Sequence, residues 1–234
     1  MEGLNSFKFN GEDICEKYDG LILKHFSVEP PTVQTNFLEI PLRNGSIDLT
    51  EALTDAPRYN DRNVLIDVKY LGENLIQTHS KILNDWHGKR IKILFDEDPN
   101  FYYIGRLSVG AYEVIRHGGT FSMTAQCEPF KYSATSSSEE WEWDPFDFEE
   151  GYLNEFKDLQ IAGSETIILI ADENESIATV TTDAVMTFTF KEENITVPIG
   201  TTKLYFTLPF EKGENEITIT GTGTVTIDYR GGRL

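Results

Sequence analysis

The side chains best suited to chemistry are few, and they are spaced badly for it. The 234 residues contain four histidines, His25, His79, His87 and His117, and two cysteines, Cys15 and Cys127. No pair has the spacing of a zinc motif. His79 and His87 lie eight apart with no acidic third ligand at a telling offset, and no CxxC occurs. Cys127 continues the alternation Phe121, Met123, Ala125, which reads as a small buried hydrophobe on one face of a strand. Asp and Glu number 39. Glycoside hydrolysis needs two carboxyls opposed across a cleft, one with a raised pKa, and the acidic runs here read as solvated. No nucleophile elbow, P-loop or dinucleotide fingerprint occurs. Gly118-Gly119 and Gly221-Thr222-Gly223 sit between strand patterns and read as turns. The residues therefore predict no catalytic group, no metal and no cofactor, and a protein that is not an enzyme.

Glycan binding asks for a different tool, an exposed ring on which a sugar face stacks. No tryptophan follows Trp143 and no histidine follows His117. A tyrosine platform at Tyr205 or Tyr229 is the remaining candidate. The Asn-x-Ser/Thr triplets at Asn44, Asn174 and Asn194 read as chance in a chain whose N-terminus shows no secretory signal.

The most patterned stretch is Arg43 to Arg62. The turn Asn44-Gly45 leads into Ile47-Asp48-Leu49, a short capped segment runs from Thr50 to Thr54, and Pro57 then delivers Tyr59 between Arg58 and Arg62. This is no catalytic chemistry; it is a connector made to be gripped by a neighbour. We expect Arg43, Asn44, Asp48, Arg58, Tyr59 and Arg62 at a subunit interface, with Arg58 and Arg62 pairing to carboxylates of the next protomer.

These residues need elements to hold them, and the patterns are mostly of strands. Val64, Ile66, Val68 and Tyr70 alternate with polar residues, as do Ile91, Ile93 and Phe95, and the residues from Phe121 to Cys127. Asp98-Pro99-Asn100 and His117-Gly118-Gly119 read as breakers between strands. One helix is predicted from Glu73 to Trp86, closed by Gly88. From about Leu159 the signal is again β: Thr166–Ile170, Met186/Phe188/Phe190, Leu204/Phe206/Leu208/Phe210, and Ile217/Ile219 set against Val225/Ile227/Tyr229 across Gly221–Gly223. Strands at this spacing without a helix predict a small β-sandwich or jelly roll. The expected division is a β-rich N-terminal domain with one helix over 1–135, an acidic aromatic linker over 136–158, and a C-terminal sandwich over 159–234.

Charge narrows the partners. The net charge is −19, which argues against stable binding of nucleic acid or an anionic membrane. The density peaks in 139–158, where nine acidic residues face one basic and Trp141, Trp143, Phe146 and Phe148 interleave with them. No apolar run approaches the roughly 20 residues of a membrane helix.

Taken in order along the chain, several segments resemble the distal tail proteins (Dit) of long-tailed bacteriophages and prophages. They are FKFNGED with Tyr18-Asp19-Gly20, Arg43–Thr50 with Pro57–Arg62, Asp98–Leu107, Phe121–Tyr132, Gly213-Glu214-Asn215 and Val225–Arg230. The resemblance implies a ring-forming N-terminal domain and a galectin-like C-terminal β-sandwich. It implies a hexameric hub ring at the tail tip of the virion, assembled in the bacterial host cytoplasm. That ring would join the tail tube protein to the tail-associated baseplate protein. It implies no reaction and no cofactor. The second domain is too short for the arm insertions with which some relatives hold a receptor-binding protein. A carbohydrate- or receptor-binding module of the same tail tip is the alternative reading.

Overall fold

The computed structural model describes residues 6–52, 57–116, 118–134, 137–138, 155–171, 178–203, 210 and 212–234. His117, Trp141, Trp143, Phe146, Phe148, Tyr205 and the Leu204–Leu208 alternation lie outside the described residues. Packing divides the chain into two units. One comprises Met1–Asp98, Tyr103–Pro129 and Leu234, and the other Pro99–Tyr102 and Phe130–Arg233.

The first unit contains β1 (Phe7–Phe9), β2 (Glu12–Asp13), α1 (Ile14–Lys17), β3 (Leu21–Val28), β4 (Phe37–Glu39), β5 (Ser46–Asp48), β6 (Arg62–Tyr70), α2 (Leu75–Trp86), β7 (Arg90–Phe95), β8 (Phe101–Ile115) and β9 (Gly118–Cys127). Its main sheet runs β2-β1-β7-β8-β9-β6-β3. The β1–β2 hairpin turns on Asn10 (φ 52°) and Gly11 (φ 87°), two left-handed residues that match the twist of a tight hairpin. In β6, Val64, Ile66 and Val68 have no solvent exposure, and their ladder partners Ala125, Met123 and Phe121 in β9 lie on the same buried face.

Helix α2 links β6 to β7, which are separated in the sheet by β8 and β9. Leu75, His79, Ile82 and Trp86 form its buried stripe at helical spacing. Gly88, at φ 74°, follows its end as a helix-terminating glycine does. Its ring nitrogen bonds fix His79 in the core: Nε2 donates to the Gly110 carbonyl at 2.8 Å, and the ring meets Tyr112 and Phe121 edge-on at 5.0 Å. Trp86 Nε1 donates to the Tyr18 hydroxyl (3.1 Å), which donates to Asp85 (2.6 Å). Burial and the adjacent Asp85 carboxylate push the Tyr18 phenol up. The sequence pattern did not reveal α1. It is a single turn begun by Asp13, whose carboxylate accepts the Glu16 N–H at 3.0 Å.

The second unit contains β10 (Lys131–Ser133), β11 (Leu159–Ala171), β12 (Thr179–Thr182), β13 (Met186–Phe190), β14 (Glu193–Val197), β15 (Gly200–Lys203), β16 (Gly213–Asp228) and β17 (Gly232–Arg233). Residues 101–102 of β8 pair with β10, and β10 pairs with β17. The other strands bond through β16, in the order β14-β13-β16-β12-β15, with β11 along β16. The core gathers Met186, Phe188, Val180, Leu169, Ile217, Ile219, Val225 and Ile227.

One sequence expectation is corrected here. Gly221-Thr222-Gly223 is not a turn, because β16 runs unbroken through it. A Cβ at Gly221 would meet the Met186 side chain at 2.9 Å, and one at Gly223 would overlap Asp183 and Ala184. The glycines let β16 pass the 183–186 corner while it changes partner from β13 (at 218–220) to β12 (at 225–228). Lys191-Glu192 is the reverse case. These residues form the two-residue turn between β13 and β14 at φ 46° and 71°, without the Asn or Gly that signals such turns.

Candidate assembly surface

Between β3 and β6 the chain leaves the main sheet as an arm. Its root is closed by the Glu29 N–H to the Asn63 carbonyl (2.9 Å) and by Asn63 Nδ2 to the Glu29 carboxylate (2.9 Å). Further out, Asn60 N–H donates to the Thr32 carbonyl and Gln34 N–H to the Arg58 carbonyl, each at 2.8 Å, with a bridge between Val33 and Tyr59. The outer part is the β4–β5 ladder, pairing Phe37 with Asp48, Leu38 with Ile47 and Glu39 with Ser46. This ladder is a sheet of its own. Leu42 (φ 67°) and Gly45 (φ 80°) make the tip.

The arm is bare on both faces. Successive residues of a strand point to opposite sides, yet Phe37, Leu38 and Glu39 are all exposed. Val33, Ile40 and Leu42 are exposed as well, and Leu42 fully so. An isolated two-stranded ribbon is at best marginally stable in water. One carrying this much uncovered apolar surface is built to be covered.

The residues expected to grip a neighbour are strung along this arm rather than gathered. Arg43 and Asn44 are exposed at the tip, Asp48 ends β5, and Arg58 and the half-buried Tyr59 lie on the returning side. Asp48 is held below the usual carboxylate range, first by the Thr50 hydroxyl and then by the Thr50 N–H, which donates at 2.9 Å. That local turn is the capping signal visible in the sequence, although 53–56 lie outside the described residues.

Arg62 behaves differently. It is the first residue of β6, and its side chain is 5% exposed. Its Nε and Nη2 are buried without a hydrogen-bond partner among the described residues. The guanidinium lies over the Tyr103 ring at 5.8 Å, and Cys127 is its ladder partner. Burial lowers the Arg62 pKa and raises that of Tyr103. Burial also pushes the Cys127 thiol up to about 12, against the opposing pull of Arg62. The other half of the arm, 29–42, escaped the sequence reading; its signal is the apolar run Phe37-Leu38-Glu39-Ile40-Pro41-Leu42, which fits neither period.

Elsewhere in the first unit a depression of about 780 Å³ opens among Leu71, Leu75, Ile76, Val114 and Ile115, with Glu73 as its single lining carboxylate. It gathers no opposed pair of carboxyls. Among the described residues no three His, Cys, Asp or Glu side chains converge as a metal site. Tyr229 is 2% exposed and meets Phe210 edge-on at 5.5 Å. It is a core residue, so the expectation of a sugar platform there is overturned. Tyr205 lies outside the described residues.

A mainly β protein with an uncovered arm is thus the class that fold and surface define. The fold is similar to that of a solved structure, described as "Crystal Structure of SPP1 Dit (gp 19.1) Protein, a Paradigm of Hub Adsorption Apparatus in Gram-positive Infecting Phages". The likeness covers 99% of this chain and 100% of that one, with a TM-score of 0.55 and 10% sequence identity. No protein-family model matches the chain, and no curated protein matches its sequence. No helix among the described residues is long and apolar enough to cross a membrane.

Proposed function

We propose that this chain is a structural protein of a phage tail tip, closing with five copies of itself into a hub ring. The ring joins the tail tube to the tail-associated baseplate protein, and the chain carries out no reaction. Residues 1–135 form the ring, 136–158 link, and 159–234 make the outer sandwich. The observation that carries this reading is the arm: a ribbon with exposed apolar side chains on both faces, left uncovered by the described residues. The full-length likeness of fold to a phage hub protein supports it.

A ring needs a heterologous contact that closes after a fixed number of copies. A projecting ribbon supplies one half of such a contact by laying its side chains and strand edges against the next subunit. Arg43, Asn44, Asp48, Arg58 and Tyr59 are the polar residues that ride on it. Multi-angle light scattering with negative-stain imaging tests the reading. A particle of six chain masses with a central hole is expected, either alone or after addition of a tail tube protein. A chain that stays monomeric under both conditions would remove the ring.

A further inference from the structure

We infer that the apolar depression at the end of β6 is the seat for the arm of a second copy of this chain, an inference that rests on the ring reading above and names the other half of its contact. Among the described residues, the first unit exposes large apolar side chains in two places, Leu234 aside. Five ride on the arm between Val33 and Leu42, and four line the depression: Leu71, Ile76, Val114 and Ile115. The two patches stand at opposite ends of one strand. The arm runs into β6 at Arg62, and Leu71 follows β6 directly, roughly 30 Å away along a strand of 9 residues. Contact between two such unlike patches is heterologous, the kind that builds a ring when its rotation closes.

The depression is a formed receptacle. Tyr70, Gly119 and Val114 lie in one row across β6, β9 and β8, so the β8–β9 hairpin and the chain leaving β6 end side by side. Gly118, at φ 103°, lets the hairpin close against the Tyr70 carbonyl, and Leu75, 5% exposed at the start of α2, comes up against Gly119. Leu71 and Ile76 line the side made by the end of β6 and the start of α2, and Val114 and Ile115 the side made by the hairpin. The volume of about 780 Å³ admits several arm side chains. The charges at the two patches match as well. Glu73 and Arg116 are exposed at the depression, and Glu39 and Arg43 are exposed on either side of Ile40–Leu42. Both patches therefore carry an acid and a base in a chain whose net charge is −19, and the arm enters with Glu39 towards Arg116 and Arg43 towards Glu73. Burial of the apolar side chains drives the contact, and the charged pairs fix its register.

The test is the double variant Ile76→Asp, Val114→Asp on the full chain, followed by melting and light scattering. Both side chains are exposed, so the variant is expected to melt with the wild type. Its assembly should need at least about tenfold more protein, because two carboxylates would lose water against apolar side chains of the arm. A variant that assembles at wild-type concentration would overturn the seat while leaving the ring intact. If the variant melts lower, cross-linking decides. Leu42→Cys and Val114→Cys are combined in a Cys15→Ser background and treated with a short bis-maleimide. A ladder of bands beyond two chains is expected on a denaturing gel, whereas either new cysteine alone gives two chains at most. A doubly substituted chain that assembles but gives no such ladder means that the arm docks elsewhere. A wild type that never assembles removes the ring, and with it the second copy as occupant.

Discussion

The arm and the strands that carry it are one continuous hairpin with two opposite characters. At the base, β6 alternates strictly, so that Val64, Ile66 and Val68 are sealed in a core that also gathers residues of β9 and α2, while their neighbours are less buried. Nearly thirty residues earlier, Phe37 and Leu38 are as apolar, and both are exposed. The difference is not propensity, because both stretches pair as antiparallel ladders. It lies in what the second face meets. Below, a helix and a sheet complete the core; above, Phe37 and Leu38 stay exposed and no described residue covers them. Apolar side chains in the first region fold the chain, and those in the second await another surface.

The sharpest way to break this comparison uses two glycines with positive φ. Gly118 sits at φ 103° where a Cβ would overlap the Tyr70 carbonyl, whereas Gly45, at φ 80° on the arm, has open space around it. Gly118→Ala is expected to cost several kcal/mol and to leave little folded protein. Gly45→Ala should cost only the left-handed strain, about 1–2 kcal/mol, confined to the arm. Urea unfolding of both variants measures the contrast, and equal losses would mean that the arm is part of the cooperative core.

Large-to-small changes come next. Ile66→Ala removes a fully buried side chain and should cost about 2–5 kcal/mol. Leu38→Ala should change monomer stability by no more than about 0.5 kcal/mol. The double variant Phe37→Ser, Leu42→Ser should leave the monomer melting curve unchanged and yet abolish the ring in light scattering. A ring that survives it would show that the arm is not the contact.

Alkaline pH separates the regions by a smaller amount. The raised thiol and phenol groups, Cys127, Cys15, Tyr103 and Tyr18, all belong to the base and none to the arm. A group whose folded pKa is raised holds its proton more tightly in the folded chain. Its contribution is whole below its ordinary pKa and is lost as pH climbs through the folded value. For Cys127 that window opens near 9.0 and extends to about 12. Melting temperature should therefore be flat from pH 7 to 8.5 and fall beyond pH 9, less steeply in Cys127→Ala. The native Cys127 thiol should also resist alkylation at pH 8.5.

Ionic strength gives the smallest effect. With −19 on each copy, lowering salt lengthens the range of repulsion beyond the roughly 8 Å of physiological buffer and should weaken the ring while leaving the monomer fold intact. A particle mass indifferent to salt would count against repulsion as a limiting factor.

Most of the fold was legible because strand periodicity is a local property. The alternations at 64–70, 91–95, 121–127 and 186–190 are strands with those residues inward, and the apolar stripe of 75–86 is a helix ending at its glycine. The candidate surface was legible only in part. Turn chemistry marked Asn44-Gly45 and Asp48–Thr50, but the apolar run at 37–42 says only that the stretch fits neither period, not that Phe37 and Leu38 are exposed, since a buried strand and a bare one share a composition. Gly221 and Gly223 show the same limit: a glycine pair reads as a turn until the corner of another strand explains it.

What this chain determined by itself, then, was its class: β-rich, acidic, and with a connector patterned beyond what a loop needs. Period, charge and turn residues are written in neighbours along the chain. Tertiary structure alone decided which apolar residues stayed uncovered and which arginine lost its water. Arg58 and Arg62 look alike in sequence, four positions apart. One lies exposed on the arm, and the other is sealed beside Tyr103 and Cys127, because burial is set by strands brought together from 62, 103 and 127.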